Sequence, residues 1–131
     1  MANPFRVLIV DDEPSIVSGI GQILKRHGIE SVGAENGERA LALLRENPQL
    51  GMVLTDARMP GMDGYELATH IRNDVRLRGI PIIMITSRTG EKHRQRAFEI
   101  GVDRYLGKPY QEADLMRNVD EILKVHRGDL G

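Results

Sequence analysis

The chain has no cysteine in its 131 residues, which excludes disulfides, thiol catalysis and Cys-ligated zinc and favours a reducing, intracellular setting. At this length one domain can bury a sizeable core without such staples. No apolar run approaches the roughly 20 residues needed to span a bilayer. The opening stretch, MANPFRVLIVDDE, lacks the basic-then-apolar order of a signal peptide. A soluble cytoplasmic protein is therefore the expectation. An excess of one charge is missing too: 18 basic and 19 acidic residues leave a net charge of −1, so nothing global points to nucleic acid or a membrane. No linker-like composition shift, low-complexity segment or sequence repeat divides the chain. Residues 1–131 read as one domain with a core of about residues 5–126.

What is present is an alternation. RVLIV (6–10) is a short β-branched run that stops at acids, as a strand buried on both faces does. In PSIVSGIGQILKRHG (14–28), Ile16, Val17, Ile20, Ile23 and Leu24 fall on one helical face, with Pro14 in the first turn and Gly28 placed to terminate. The rhythm recurs with IESVGA (29–34) and a helix carrying Ala40, Leu41 and Leu44, then GMVLT (51–55) and a helix carrying Leu67 and Ile71. It continues with IPIIMIT (80–86) and a helix through Ala97 and Ile100, then DRYLGK (103–108) and a helix with Leu115, Val119, Ile122 and Leu123. Strands too apolar to face water, alternating with amphipathic helices, predict an α/β domain: a five-stranded parallel sheet with helices on both faces.

In such a sheet the C-terminal strand ends meet along one edge, where ligands bind. Those ends carry Asp11 and Asp12, Asp56, Thr86 and Lys108. Three carboxylates brought together repel one another unless a cation joins them, and an all-oxygen set suits Mg²⁺. Lys108 adds a point charge for an anionic oxygen, and the Thr86 hydroxyl can donate to the same anion. Magnesium, a cationic side chain and a carboxylate nucleophile together describe phosphoryl transfer onto Asp56. Taken singly, each residue also has a plain reading: Asp11 and Asp12 as helix caps, Lys108 as a solvated lysine, Thr86 as a strand end.

The acidic pair after the first strand, Asp56 followed by MPGMDG, Thr86 ending an apolar strand, and Lys108-Pro109 stand in one order over nearly the whole chain. In this the sequence resembles the CheY-like receiver domains of two-component response regulators, most of all those attached to chemotaxis-type hybrid histidine kinases. The resemblance implies a flavodoxin-like, doubly wound sheet of order 2-1-3-4-5. It implies that Asp56 accepts a phosphoryl group from a histidine kinase or phosphotransfer domain. Asp12, Asp56 and the Arg58 backbone carbonyl would then ligate Mg²⁺, with Asp11 assisting through water. Lys108 would contact the phosphoryl group, with a cis peptide to Pro109, and Thr86 and Tyr105 would form a switch pair. Such a domain is not a conventional enzyme but assists its own phosphorylation and dephosphorylation, and it signals to a downstream protein through the face of the fourth helix and fifth strand.

Other features are weighed against this reading. Tyr105 could be simple core. His27, His70, His93 and His126 have no metal-ligand spacing and read as surface residues. SRTGEKHRQR (87–96) is basic but lacks interleaved aromatics, so a protein-docking or solvated face is expected over nucleic acid. A flavin phosphate loop would belong after the first strand, where DDEPS would repel it. An aspartyl-phosphate phosphatase would need a cap insertion and an acid–base residue two positions after Asp56, where this chain has Arg58. Arg58 and Arg88 occupy positions that vary in the resembling family and influence how long the phosphoryl group survives.

Overall fold

The structure, a computed structural model, describes residues 5–128, with side chains to residue 125. Residues 1–4, at the start of the opening stretch, residues 129–131 and the side chain of His126 lie outside the described part. Five strands and five helices alternate: β1 (Arg6–Val10), α1 (Pro14–Arg26), β2 (Glu30–Ala34), α2 (Gly37–Glu46), β3 (Leu50–Asp56), α3 (Gly64–Asn73), β4 (Ile82–Thr86), α4 (Glu91–Ile100), β5 (Arg104–Gly107) and α5 (Glu112–Gly128). The strands form one parallel sheet in the order β2-β1-β3-β4-β5, as expected.

Successive side chains of a strand point to opposite faces, and here that separates two cores. Leu8, Val10, Val53, Ile82 and Met84 face the layer of α2, α3 and α4, where Leu41, Leu44, Leu67, Ile71 and Ala97 meet them. Val7, Ile9, Leu54, Ile83 and Ile85 face α1 and α5, against Ile20, Leu24, Leu115 and Val119. Each fully buried aliphatic side chain contributes about 1.5–3 kcal/mol. This is why the three central strands need to be apolar on both faces.

The edge strands depart from that expectation. β2 exposes Glu30 and Gly33, and every residue of β5 is only partly buried, because each edge strand has a single strand neighbour. β4 starts at Ile82, two residues later than the apolar run IPIIMIT. Pro81 has no N–H to give to the ladder, though its carbonyl accepts from Val53. At the helix starts, Asn36 accepts from the Arg39 N–H, and Asp63 forms a reciprocal capping box with Glu66. Gly28, at φ 78°, follows the end of α1, where the expected terminator stands.

Candidate functional site

Register brings the strand ends together. Val10 pairs with Thr55, so Asp11 and Asp56 emerge side by side, and Thr86 pairs with Gly107, so Lys108 follows directly beside them. The Lys108 N–H donates to the Thr86 carbonyl at 2.8 Å, and the Lys108–Pro109 peptide is cis. Carboxylate oxygens of Asp11, Asp12 and Asp56 lie within 4.8 Å of one another. The Lys108 ammonium sits 3.3 Å from Asp11 and 3.5 Å from Asp56.

These four side chains are not equivalent. Asp11 is buried, and burial raises its pKa despite the Glu13 N–H that donates to it at 2.9 Å and the nearby Lys108; the charge of Asp56 adds to the rise. Burial pulls Lys108 the other way, but the carboxylates of Asp56 and Asp11 outweigh it and hold the ammonium above its usual range. Asp12 is exposed and Asp56 partly so. Glu13, not either aspartate, is the N-cap of α1, and it makes no side-chain cap bond. The capping reading of Asp11 and Asp12 therefore fails, and what remains is an acidic cluster around a lysine. Three hard oxygen donors of net negative charge beside one ammonium fit a divalent cation such as Mg²⁺.

The loop after Asp56 has its shape for two separate reasons. Gly61 sits at φ 76°, where side chains are strained. Gly64 is required by closeness instead: a Cβ there would fall 2.1 Å from the Asp56 carbonyl oxygen. The Gly64 N–H also donates to the Ala57 carbonyl at 2.9 Å, tying the start of α3 under the strand end. The Arg58 N–H points at Asp56 Oδ1, at 3.4 Å.

Thr86 is buried, and its hydroxyl oxygen accepts from the Arg88 N–H at 3.1 Å, leaving its own hydrogen to donate elsewhere. The Tyr105 hydroxyl donates to the Arg88 carbonyl. One residue, Arg88, thus joins Thr86 and Tyr105 through its backbone. Tyr105 is half-buried; burial, and next the neighbouring Tyr65 phenol, push its own phenol upward. Its ring lies 6.5 Å from that of Phe98, beside a cavity of about 410 Å³ that Pro81, Asn118 and Ile122 also line.

Sequence reasoning missed two groups near this edge. Tyr110 is half-buried, and burial raises its phenol while the charge of Lys108 lowers it. Arg72 reaches from α3 to the Gly101, Arg78 and Ile80 carbonyls and to Asp103. The only prior signal for Tyr110 was its place just after Lys108-Pro109, and Arg72 had none. Of the histidines, His27 and His70 are exposed as expected, His27 lying 3.4 Å from Glu112, whereas His93 is half-buried. Among the described residues, no helix is long and apolar enough to cross a membrane.

Comparison with known proteins agrees with this fold. Residues 7–120 match the family described as "Response regulator receiver domain". Over 117 residues the chain is 35% identical to the heme response regulator HssR of Staphylococcus aureus, covering 89% of this chain and 50% of HssR. It thus spans about half the length of the curated relatives it matches. Among solved structures, the chemotaxis protein CheY4 of Vibrio cholerae superposes with a TM-score of 0.84 at 28% identity, covering 89% of this chain and 97% of CheY4. The signal receiver domain of a signal transduction histidine kinase from Syntrophus aciditrophicus gives 0.83 at 29% identity, covering 92% of this chain and 90% of that one.

Proposed function

Since the chain belongs to the response regulator receiver domain family of two-component signalling, we propose that Asp56 is its phosphoacceptor. The observation that carries this assignment is the placement of Lys108 between Asp11 and Asp56, with Thr86 ending the adjacent strand. A carboxylate oxygen of Asp56, the less buried of the two lysine-bound acids, attacks the phosphorus of a phosphohistidine on a histidine kinase or phosphotransfer domain. The new P–O bond forms as the P–N bond breaks, and the departing imidazole keeps the electron pair and takes a proton. Lys108 neutralises charge on the transferred group, and the free hydrogen of the Thr86 hydroxyl is donated to one of its oxygens.

The carboxylates of Asp12 and Asp56 and the Arg58 backbone carbonyl would hold Mg²⁺, with Asp11 completing the acidic set through water. When bound, the ion supplies charge neutralisation between the carboxylates and the phosphoryl oxygens. Without it Asp56 faces two like charges and one lysine. The domain assists its own phosphorylation and dephosphorylation.

Phosphorylation is then read through Arg88. Drawing the Thr86 hydroxyl toward the phosphoryl group releases the Arg88 N–H, loosening the carbonyl to which Tyr105 is tied, and the tyrosine ring turns inward. The surface of α4 and β5 changes with it, presenting a downstream protein, not nucleic acid or a membrane, with an altered docking face. We place the domain in the cytoplasm, either alone or as part of a larger regulator or kinase.

Incubation with acetyl phosphate and Mg²⁺ tests the assignment. The intact chain should gain the mass of one phosphoryl group, and Asp56→Asn should gain none. Equal labelling of the variant would remove Asp56 from the reaction.

A further inference from the structure

The basic segment 87–96 does not form one face. Arg94 lies over the Phe98 ring, 5.3 Å from its centroid, on the side of the cavity next to Tyr105. Arg88, in the loop before α4, and Arg96, on α4, line a different pocket, together with Arg58 from the loop after β3. Together with Asp63, Tyr65 and His93 these three arginines line a pocket of about 220 Å³. We propose that this pocket docks an acidic segment of a protein partner.

Three observations support it. First, all three arginines are exposed, and among the described residues none has a carboxylate within 4.0 Å. Asp63 is the one acid in the lining, and it is occupied as the cap of α3, accepting from the Glu66 N–H at 2.8 Å. In a chain of net charge −1 the positive excess is therefore local. Second, the pocket is partly fixed in advance. Arg96 lies 4.2 Å above the ring of Tyr65, which is buried and donates through its hydroxyl to the His93 carbonyl at 3.4 Å. Stacking on an anchored ring leaves the guanidinium edge free for a carboxylate.

Third, the arginines come from the loop after β3, the loop before α4 and α4 itself, around an open pocket. One small anion on exposed arginines is screened by solvent and held weakly. A chain presenting several carboxylates engages the arginines at once, and each further contact is intramolecular. An acidic peptide gains from this spacing; free phosphate does not.

The binding needs no phosphoryl group on Asp56, so it can be tested independently of that chemistry. The ¹⁵N-labelled full chain is titrated with synthetic hexaglutamate, with hexaglutamine and with inorganic phosphate at matched ionic strength. Hexaglutamate should shift the side-chain Nε–Hε signals of Arg88 and Arg96, while hexaglutamine leaves them in place and phosphate fails to displace the acidic peptide. An Arg88→Gln/Arg96→Gln double variant, changing two exposed residues, should weaken hexaglutamate binding about 3- to 10-fold, and Arg94→Gln should not. Equal weakening by Arg94→Gln, or none in the double variant, would reduce the pocket to general charge attraction. Displacement by phosphate would make it a small-anion site and overturn the proposal.

Discussion

Asp11 is only 3% exposed, and burying its carboxylate costs more than Glu13 and Lys108 return, so its pKa lies above the ordinary 3.8. A carboxyl group raised in the folded state favours folding when protonated and opposes it when ionised. Its favourable contribution is full below the unfolded value and is lost as pH rises through the folded one. Asp11→Asn should therefore raise the urea midpoint of the metal-free protein at pH 7. The gap from wild type should narrow as pH falls toward 4, because the wild-type folded state takes up its proton first. A variant less stable at pH 7, with a deficit that shrinks as pH falls, would show that the lysine pair outweighs burial. Much of this site was legible in the sequence, because charged residues at the ends of apolar runs are anomalous wherever the strands lie. Its balance of forces was not, since burial at Asp11 depends on how closely β1 and β3 pack.

At the scale of elements, Arg72 ties several of them together. From α3 it donates to the Gly101 carbonyl at the end of α4, to the Ile80 carbonyl before β4 and to Asp103 before β5, and Asp103 in turn accepts from the Ile82 N–H. Arg72→Ala would leave several carbonyls short of a donor, and we expect it to cost about 2–4 kcal/mol in urea unfolding. Lys should recover only part, because an ammonium cannot span the same fork. A loss below about 0.5 kcal/mol would place the arginine among surface pairs of little consequence. No sequence pattern marked this residue, since three of its partners are backbone carbonyls, which any residue type supplies. The division of segment 87–96 was hidden for a related reason. Helical spacing separates Arg94 from Arg96, but only the positions of Tyr65 and Phe98 decide what each one meets. Helix faces and the three central strands were readable because periodicity is local, whereas the mixed exposure of β2 and β5 followed from their place at the sheet's edges.

Over the whole molecule, signalling requires a charge placed at one edge of the sheet to reach a surface on its flank. The connection is short: Thr86 to the Arg88 N–H, and the Arg88 carbonyl to Tyr105. With Mg²⁺ and beryllofluoride as the phosphoryl mimic, the amides of Thr86, Arg88 and Tyr105 should shift together with those around Asp56, and α4 should follow. The shift in population is limited to the difference in binding between the two states, so intermediate signals are compatible with it. Shifts confined to the loop after Asp56 would break the link. All of this rests on which carboxylate is modified, and Asp11, Asp12 and Asp56 stand close enough to compete. The most direct measurement is to phosphorylate the chain with acetyl phosphate and Mg²⁺, reduce the acyl phosphate with borohydride, and locate the resulting homoserine by peptide mass spectrometry. If Asp56 is the phosphoacceptor, homoserine appears at position 56 alone; homoserine at 11 or 12, with position 56 unmodified, would contradict that assignment.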